Sequence, residues 1–205
     1  MNTVLSKFSS DYRIKSSKFL GFLCPAATIT EAEEYLDSIK KEHPTATHHC
    51  YAYLLNPNEP IEYSSDDGEP NGTAGLPILN TLKSHNLMNV ILIVVRYYGG
   101  TKLGKAGLID AYQTSAQQSI ESATLNTLVP IKTYELEYDY PQQSLIEKWK
   151  NEFTWIDLES SYLETVNLKI GCPKGENELF KRSLKSKEHQ LIRFEITGES
   201  FHIKN

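Results

Sequence analysis

The chain holds only three cysteines, Cys24, Cys50 and Cys172, an odd number at wide spacing. That excludes a disulfide framework and gives no zinc-ligand spacing, so the three read as buried or incidental thiols. No apolar run approaches the roughly 18 residues of a membrane span, and the opening MNTVLSKFSS lacks the apolar centre of a signal peptide. The cytoplasm is the expected compartment. Excess positive charge is missing too: 21 Lys and Arg against 26 Asp and Glu give a net charge of −5. Without a global basic field, any nucleic-acid contact has to be local. Repeats and low-complexity segments are also lacking, and 205 residues at 40% hydrophobic suffice for one large or two small packed domains.

The most informative stretch present is Asn89 to Tyr112, NVILIVVRYYGGTKLGKAGLIDAY. Val90 to Val95 is short, β-branched and unbroken, the pattern of a strand buried on both faces. It ends in Arg96-Tyr97-Tyr98-Gly99-Gly100 and feeds a helix. Gly99 to Lys105 matches the phosphate-loop pattern, with Gly104 as its second glycine, but Ala106 stands where that motif needs a Ser or Thr hydroxyl for Mg²⁺. Nucleotide hydrolysis is therefore not expected at this turn. Arg96, Tyr97 and Tyr98 can contact phosphate oxygens and stack on bases, with Lys102 and Lys105 adding charge at the helix start. Equally, one tyrosine fills the core while the other joins Arg96 in capping the sheet edge.

A second glycine-rich segment, Tyr63 to Leu79, places Asp66, Asp67 and Glu69 within four positions, beside Gly68 and Gly72. Such carboxylates can bind Mg²⁺ or hold the Arg96 guanidinium. They can also simply make a turn, since Asp67-Gly68 is a strong turn dipeptide. Upstream, His48-His49-Cys50 looks like a metal cluster, yet on a strand His48 and Cys50 point to one face and His49 to the other, so a hydrogen-bonded structural histidine is the simpler reading. Cys50 beside His48 lacks an orienting third group for nucleophilic catalysis. The loop from Asp66 to Gly72 and the turn from Arg96 to Gly104 are expected on one surface, forming the main cleft of their domain.

The residues predict a strand from Lys18 to Ala26 and a helix from Thr30 to Glu42, with Thr30 and Glu33 as a capping box. Strands follow at His48–Leu55 and Ile61–Ser65, then a helix from about Thr73 to Ser84, the strand at Val90 and a helix from Leu103 to Ser122. The boundary is expected near Val129-Pro130, after that helix and before a polar connection, giving domains 1–129 and 130–205. Beyond it Tyr134–Tyr140, Gln142–Phe153, Trp155–Glu159, Leu163–Ile170, Glu176–Lys187 and Leu191–Thr197 read as β-α-β-β-α-β, the ferredoxin-like order, so the fold class is α+β. The helix carrying Lys181, Arg182 and Lys185 is a local basic face, either a nucleic-acid contact or an ordinary solvated surface.

Taken together, Ser17-Lys18-Phe19-Leu20-Gly21, His48-His49-Cys50-Tyr51-Ala52-Tyr53, the Tyr63–Leu79 segment and Arg96-Tyr97-Tyr98-Gly99-Gly100 with Leu103-Gly104, Gly107-Leu108 and Ala111-Tyr112 closely resemble the YigZ/IMPACT family. Lys105-Ala106 departs from the family, which usually has a small residue and then Gly there, so the phosphate-loop match looks accidental. The resemblance implies an N-terminal domain like the second domain of ribosomal protein S5 and a ferredoxin-like C-terminal domain similar to one of the translocation elongation factor. It implies a non-enzymatic protein binding RNA, the ribosome or a translation factor, with no cofactor and no metal ion. The rival is an enzyme, a hydrolase or phosphate-ligand enzyme using Asp66, Asp67, Glu69 and Arg96.

Overall fold

A computed structural model describes residues 1–204, which divide into two compact units, Met1–Thr127 and Leu128–Asn205. The first contains β1 (Asn2–Thr3), β2 (Phe8–Ile14), β3 (Ser17–Pro25), α1 (Ile29–Glu42), β4 (His48–Leu55), β5 (Ile61–Ser65), α2 (Gly75–Ser84), β6 (Val90–Tyr97) and α3 (Gly104–Glu121). Its main sheet has the order β2-β3-β6-β4-β5 with every neighbouring pair antiparallel. β6 is the central strand. Its unbroken apolar run follows from that position: Ile91, Ile93 and Val95 pack with Ala32, Tyr35, Leu36 and Ile39 of α1, while Leu92 and Val94 alternate to the opposite face and are equally buried. Arg96 falls on the second face, where α2 and α3 lie, and that sets everything about its environment.

Several elements differ from the sequence reading. β2 is not predicted because FSSDYRI has little apolar alternation; it is an edge strand joined to β3 by Lys15 and Ser16, both at positive φ (45° and 64°), a hairpin turn without the usual Asn-Gly signature. The capping box of α1 sits two residues earlier than expected. Thr28 Oγ1 accepts from the Glu31 backbone N–H at 3.2 Å, and Glu31 reaches back to the Ala27 N–H at 2.6 Å. α2 starts at Gly75 rather than Thr73, because the preceding backbone N–H groups are taken up by the acidic loop described below.

α3 comes unusually close to the sheet at Gly21 of β3. A Cβ there would lie 2.0 Å from Ser119 Oγ, and Ser119 and Ser10 instead share a hydroxyl hydrogen bond of 2.7 Å. At Gly99 the neighbour is backbone: an added Cβ would meet the Ser16 carbonyl carbon at 2.1 Å. Gly100 and Gly104 differ in kind, with open space around them and φ of 83° and 74°, values a side chain tolerates poorly.

The strand after α3 is longer than expected. β7 spans Asn126–Tyr138, so both Val129-Pro130 and the polar connection expected after it lie within a strand; Pro130 is accommodated there opposite Phe201. α4 (Gln143–Glu152), β8 (Ile156–Tyr162), β9 (Val166–Pro173), α5 (Asn177–Ser186) and β10 (Arg193–Ile203) complete the second unit. Its sheet order β10-β7-β9-β8, all antiparallel, is the ferredoxin-like arrangement. Tyr134, Leu136 and Tyr138 of β7 alternate inward against Ile146, Trp149, Phe180 and Leu184. Both units are α+β with antiparallel sheets, as the resemblance implied.

Candidate functional site

The three carboxylates of the acidic loop go to three different places. Asp66 folds back on its own loop: Oδ2 accepts from the Gly72 N–H at 2.8 Å and Oδ1 from the Ala74 and Gly75 N–H groups at 2.9 Å each. These are the orphan donors at the start of α2, which has no capping side chain from its own N-cap residue. Asp67, at φ 41°, accepts from the His49 backbone N–H at 2.6 Å and so ties the loop to the start of β4. Glu69 turns inward and is buried.

Glu69 meets Arg96 there. Arg96 Nη1 donates to Glu69 Oε1 at 2.5 Å, and the Tyr112 hydroxyl of α3 donates to the same oxygen at 2.8 Å. The guanidinium carbon lies 5.4 Å from the ring centres of both Phe19 and Tyr98, while Nε has no hydrogen-bond partner. Taking an ion pair out of water is tolerable only when further hydrogen bonds satisfy the charges, and Tyr112 supplies one. His48 Nε2 stands 3.9 Å from Glu69 Oε1, and its Nδ1 lies 2.8 Å from the Asp67 carbonyl. Below it the Cys50 thiol donates to the Asp66 carbonyl at 3.0 Å and contacts the Tyr112 hydroxyl at 3.3 Å.

Burial sets the protonation of this cluster. It pushes the Cys50 thiol and the Tyr112 hydroxyl well above their ordinary ranges, so both stay neutral. His49, on the other face of β4, is lowered by burial, which outweighs the opposing effect of the His43 carbonyl that its Nε2 contacts at 3.1 Å. His48 and Cys50 share a face and His49 does not, as strand alternation requires. Among the described residues no group of His, Cys, Asp and Glu is arranged to hold a metal ion.

The Asp66–Gly72 loop and the Arg96 turn therefore do meet, but what they make is a dry contact and not a cleft. A hollow of about 450 Å³ lies between α2 and α3, where Leu76, Asn80, Ile109 and Gln113 line it and only Gly72 of the expected residues borders it. Arg96 is 5% exposed and its charge is met inside the fold. Tyr97 is half-buried on the α1 face, with its hydroxyl 3.0 Å from His43 Nδ1. Tyr98 is 45% exposed, its N–H bonded to Thr47 Oγ1, and the Gly99 N–H is bonded to Ser17 Oγ. Gly100, Lys102, Gly104 and Lys105 are exposed. In the second unit Arg182 and Lys185 are exposed on α5 and Lys181 is half-buried beside them, none of the three in an ion pair among the described residues. Tyr112 was not assigned a role from sequence, although Leu108, Ala111, Tyr112, Ser115 and Ser119 form the inward stripe of α3.

The family profile of the Impact N-terminal domain matches residues 15–120, more than half of the chain and all the elements of this cluster. The chain belongs to the IMPACT family. The IMPACT family member YvyE of Bacillus subtilis is 35% identical over 167 residues, covering 82% of this chain and 77% of its own length. YigZ of Escherichia coli, also an IMPACT family member, is 34% identical over 173 residues, covering 83% and 85%. A solved structure described as a hypothetical protein superposes on 98% of the chain and 95% of its own, with a TM-score of 0.65 at 29% identity. Within this IMPACT chain, the motif residues Glu69, Arg96 and Tyr112 are hydrogen-bonded to one another, Cys50 links Tyr112 to Asp66, and His48 stands beside them bonded to the Asp67 carbonyl.

Proposed function

We propose that this IMPACT protein is a non-enzymatic RNA-binding protein acting in translation, on RNA alone or within the ribosome. The observation that carries the reading is the turn after β6. There the start of α3 has no capping side chain and no acid in its first turn, with Lys102 and Lys105 exposed at that end and the Tyr98 ring exposed nearby. Free N–H groups, the positive end of an 18-residue helix and two ammonium groups favour phosphate, and an exposed ring held over a guanidinium offers a stacking surface for a base.

The enzymatic rival is disfavoured by how the carboxylates are used. Asp66 is taken up by three backbone donors, Glu69 is neutralised by Arg96, and Asp67, though exposed, is tied to the His49 N–H, so the three do not converge on one substrate. On α5, Lys181, Arg182 and Lys185 supply a second patch of the same sign. Titration of labelled single-stranded RNA at two salt concentrations tests the reading. Tyr98→Ala should weaken binding by loss of stacking, by roughly 1–3 kcal/mol. Lys102→Ala with Lys105→Ala, and Lys181→Ala with Arg182→Ala, should each make the salt dependence shallower, by about one slope unit for every phosphate that is no longer neutralised. RNA binding indifferent to all of these, or none at low salt, would remove RNA as the partner.

A further inference from the structure

The sheet of the first unit has two edges, and they are protected differently. β2 carries Asp11 and Arg13, paired at 3.1 Å, with Lys18 of β3 alongside. Charged side chains of this kind are the usual defence of an open edge. β5, the opposite edge, has the sequence IEYSS with no cation, and among the described residues it pairs only with β4. Its outer row of backbone N–H and C=O groups has no strand partner among the described residues, and the strand is exposed from Ile61 to Tyr63, while the Ser65 backbone packs against Gly75 of α2.

One face of β5 is covered: Glu62 points toward α2 and binds Lys83 at 2.7 Å. The other face is open. Ile61 and Tyr63 alternate onto it and are 40% and 49% exposed. Tyr63 stacks on Tyr53 across the strand pair, with ring centres 5.6 Å apart and planes at 26°, and contacts Tyr51 diagonally at 5.8 Å. Ile29, exposed at the start of α1, and Ile61 border one hollow of about 430 Å³ at the end of this platform. Ile61 and Tyr63 are thus exposed on the edge strand itself, with half-buried Tyr51 and buried Tyr53 of β4 behind them and Ile29 of α1 at one end.

The charge beside the platform is negative. Glu33 of α1 and Asp67 are the ionised side chains acting on the Tyr51 hydroxyl, which burial, the neighbouring tyrosines and these two acids together push up to about 12. Glu33 also raises Tyr53, after burial. Of the cations on this side, Lys40 of α1 acts at the His49 end and Lys7 lies 4.6 Å from the Tyr35 ring centre. A polyanion is repelled here, whereas a cationic chain gains both the carboxylates and the ring faces.

We infer that the β5 edge with the Tyr51–Tyr53–Tyr63 platform is a docking site for an extended protein segment that alternates basic and aliphatic side chains. Such a segment adds a strand beside β5, so that main-chain hydrogen bonds hold it and every second side chain meets the platform. Arginine suits the tyrosine faces and Glu33, and an aliphatic residue suits the hollow between Ile29 and Ile61. This surface is separate from the turn assigned to RNA and needs opposite charge in its partner.

A fluorescein-labelled peptide of alternating arginine and valine, titrated against the full chain, tests the inference, with an alternating glutamate and valine peptide as comparison. The basic peptide is expected to bind and the acidic one not. Tyr63→Ala and Glu33→Lys should each weaken binding about three- to tenfold, while Tyr63→Phe keeps it, because the ring face is the contact. Glu33 is exposed, so its variant reports even where Tyr63→Ala disturbs folding. Equal binding of both peptides, or binding of the basic peptide unchanged by Glu33→Lys, would overturn the inference. So would a dimer in sedimentation that Tyr63→Ala dissociates, which assigns the edge to a second copy. RNA binding lost in Tyr63→Ala but retained in Tyr98→Ala would instead assign this face to nucleic acid and overturn both readings; RNA binding unchanged by Tyr63→Ala leaves the two separable.

Discussion

Glu69 and Arg96 lie 27 positions apart in the chain and meet at 2.5 Å with both side chains almost wholly withdrawn from water. A loop and a strand end are thereby locked together, with Tyr112 of α3 closing the third side. Removing one partner leaves the other charge buried alone. Arg96→Ala should therefore lower unfolding free energy by about 3–5 kcal/mol, whereas Arg96→Met combined with Glu69→Leu should recover most of that loss. Urea denaturation of the two variants checks it; a loss under about 1 kcal/mol for Arg96→Ala would show that the pair does not hold the fold.

Asp66 and Asp67 are neighbours with unequal duties. Asp66 accepts three backbone N–H groups at the start of α2, and Asp67 accepts one at the edge of β4 and is partly exposed. Asp66→Ala is expected to destabilise by about 2 kcal/mol, the upper range for loss of a helix cap, and Asp67→Ala by less than about 1 kcal/mol. Thermal melts of the two variants side by side distinguish them, and the reverse order would refute the assignment.

Alkaline pH should unfold the protein in a defined window. Burial pushes Cys24 and Cys172 up to about 11, and Tyr134 up to about 12. These groups are acids held neutral by the fold, so their contribution is complete below the unfolded values, 9.0 for the thiols and 10.0 for tyrosine, and is lost as pH rises through 11 and 12. Melting temperature should hold steady up to about pH 9 and then fall, with all three thiols slow to react with iodoacetamide until it does. Rapid alkylation of the native protein at neutral pH would contradict the buried placement.

Much of this is legible in the residues, and the exceptions have physical causes. β4 and β5 begin and end where their apolar content and flanking turn residues put them, His48–Leu55 and Ile61–Ser65, because both lie on one side of the central strand and carry its alternation outward. β2 is invisible since an edge strand needs only half a pattern, and Lys15-Ser16 is an uncommon pair for its turn. The acidic loop reads more readily as a turn than as a site; it is a turn in which Asp66 and Glu69 are used internally while Asp67 stays exposed. Sequence places Asp66, Glu69 and Arg96 in signatures but does not tell which charges face each other. That depends on Arg96 falling on the α3 side of β6, a matter of one residue in strand register.

The seat of α3 against Gly21 limits how this domain can vary. Where a helix rests on bare backbone and hydroxyl groups, there is no aliphatic side chain to trim when a neighbour grows. A larger residue at position 21 displaces the Ser10 and Ser119 hydroxyls and presses on the Ser115 carbonyl, which pushes α3 outward, and Tyr112 rides on that helix two turns away from Ser119. Lifting it draws the tyrosine hydroxyl off Glu69, so a packing change at one end of α3 is felt as a loosened ion pair at the other.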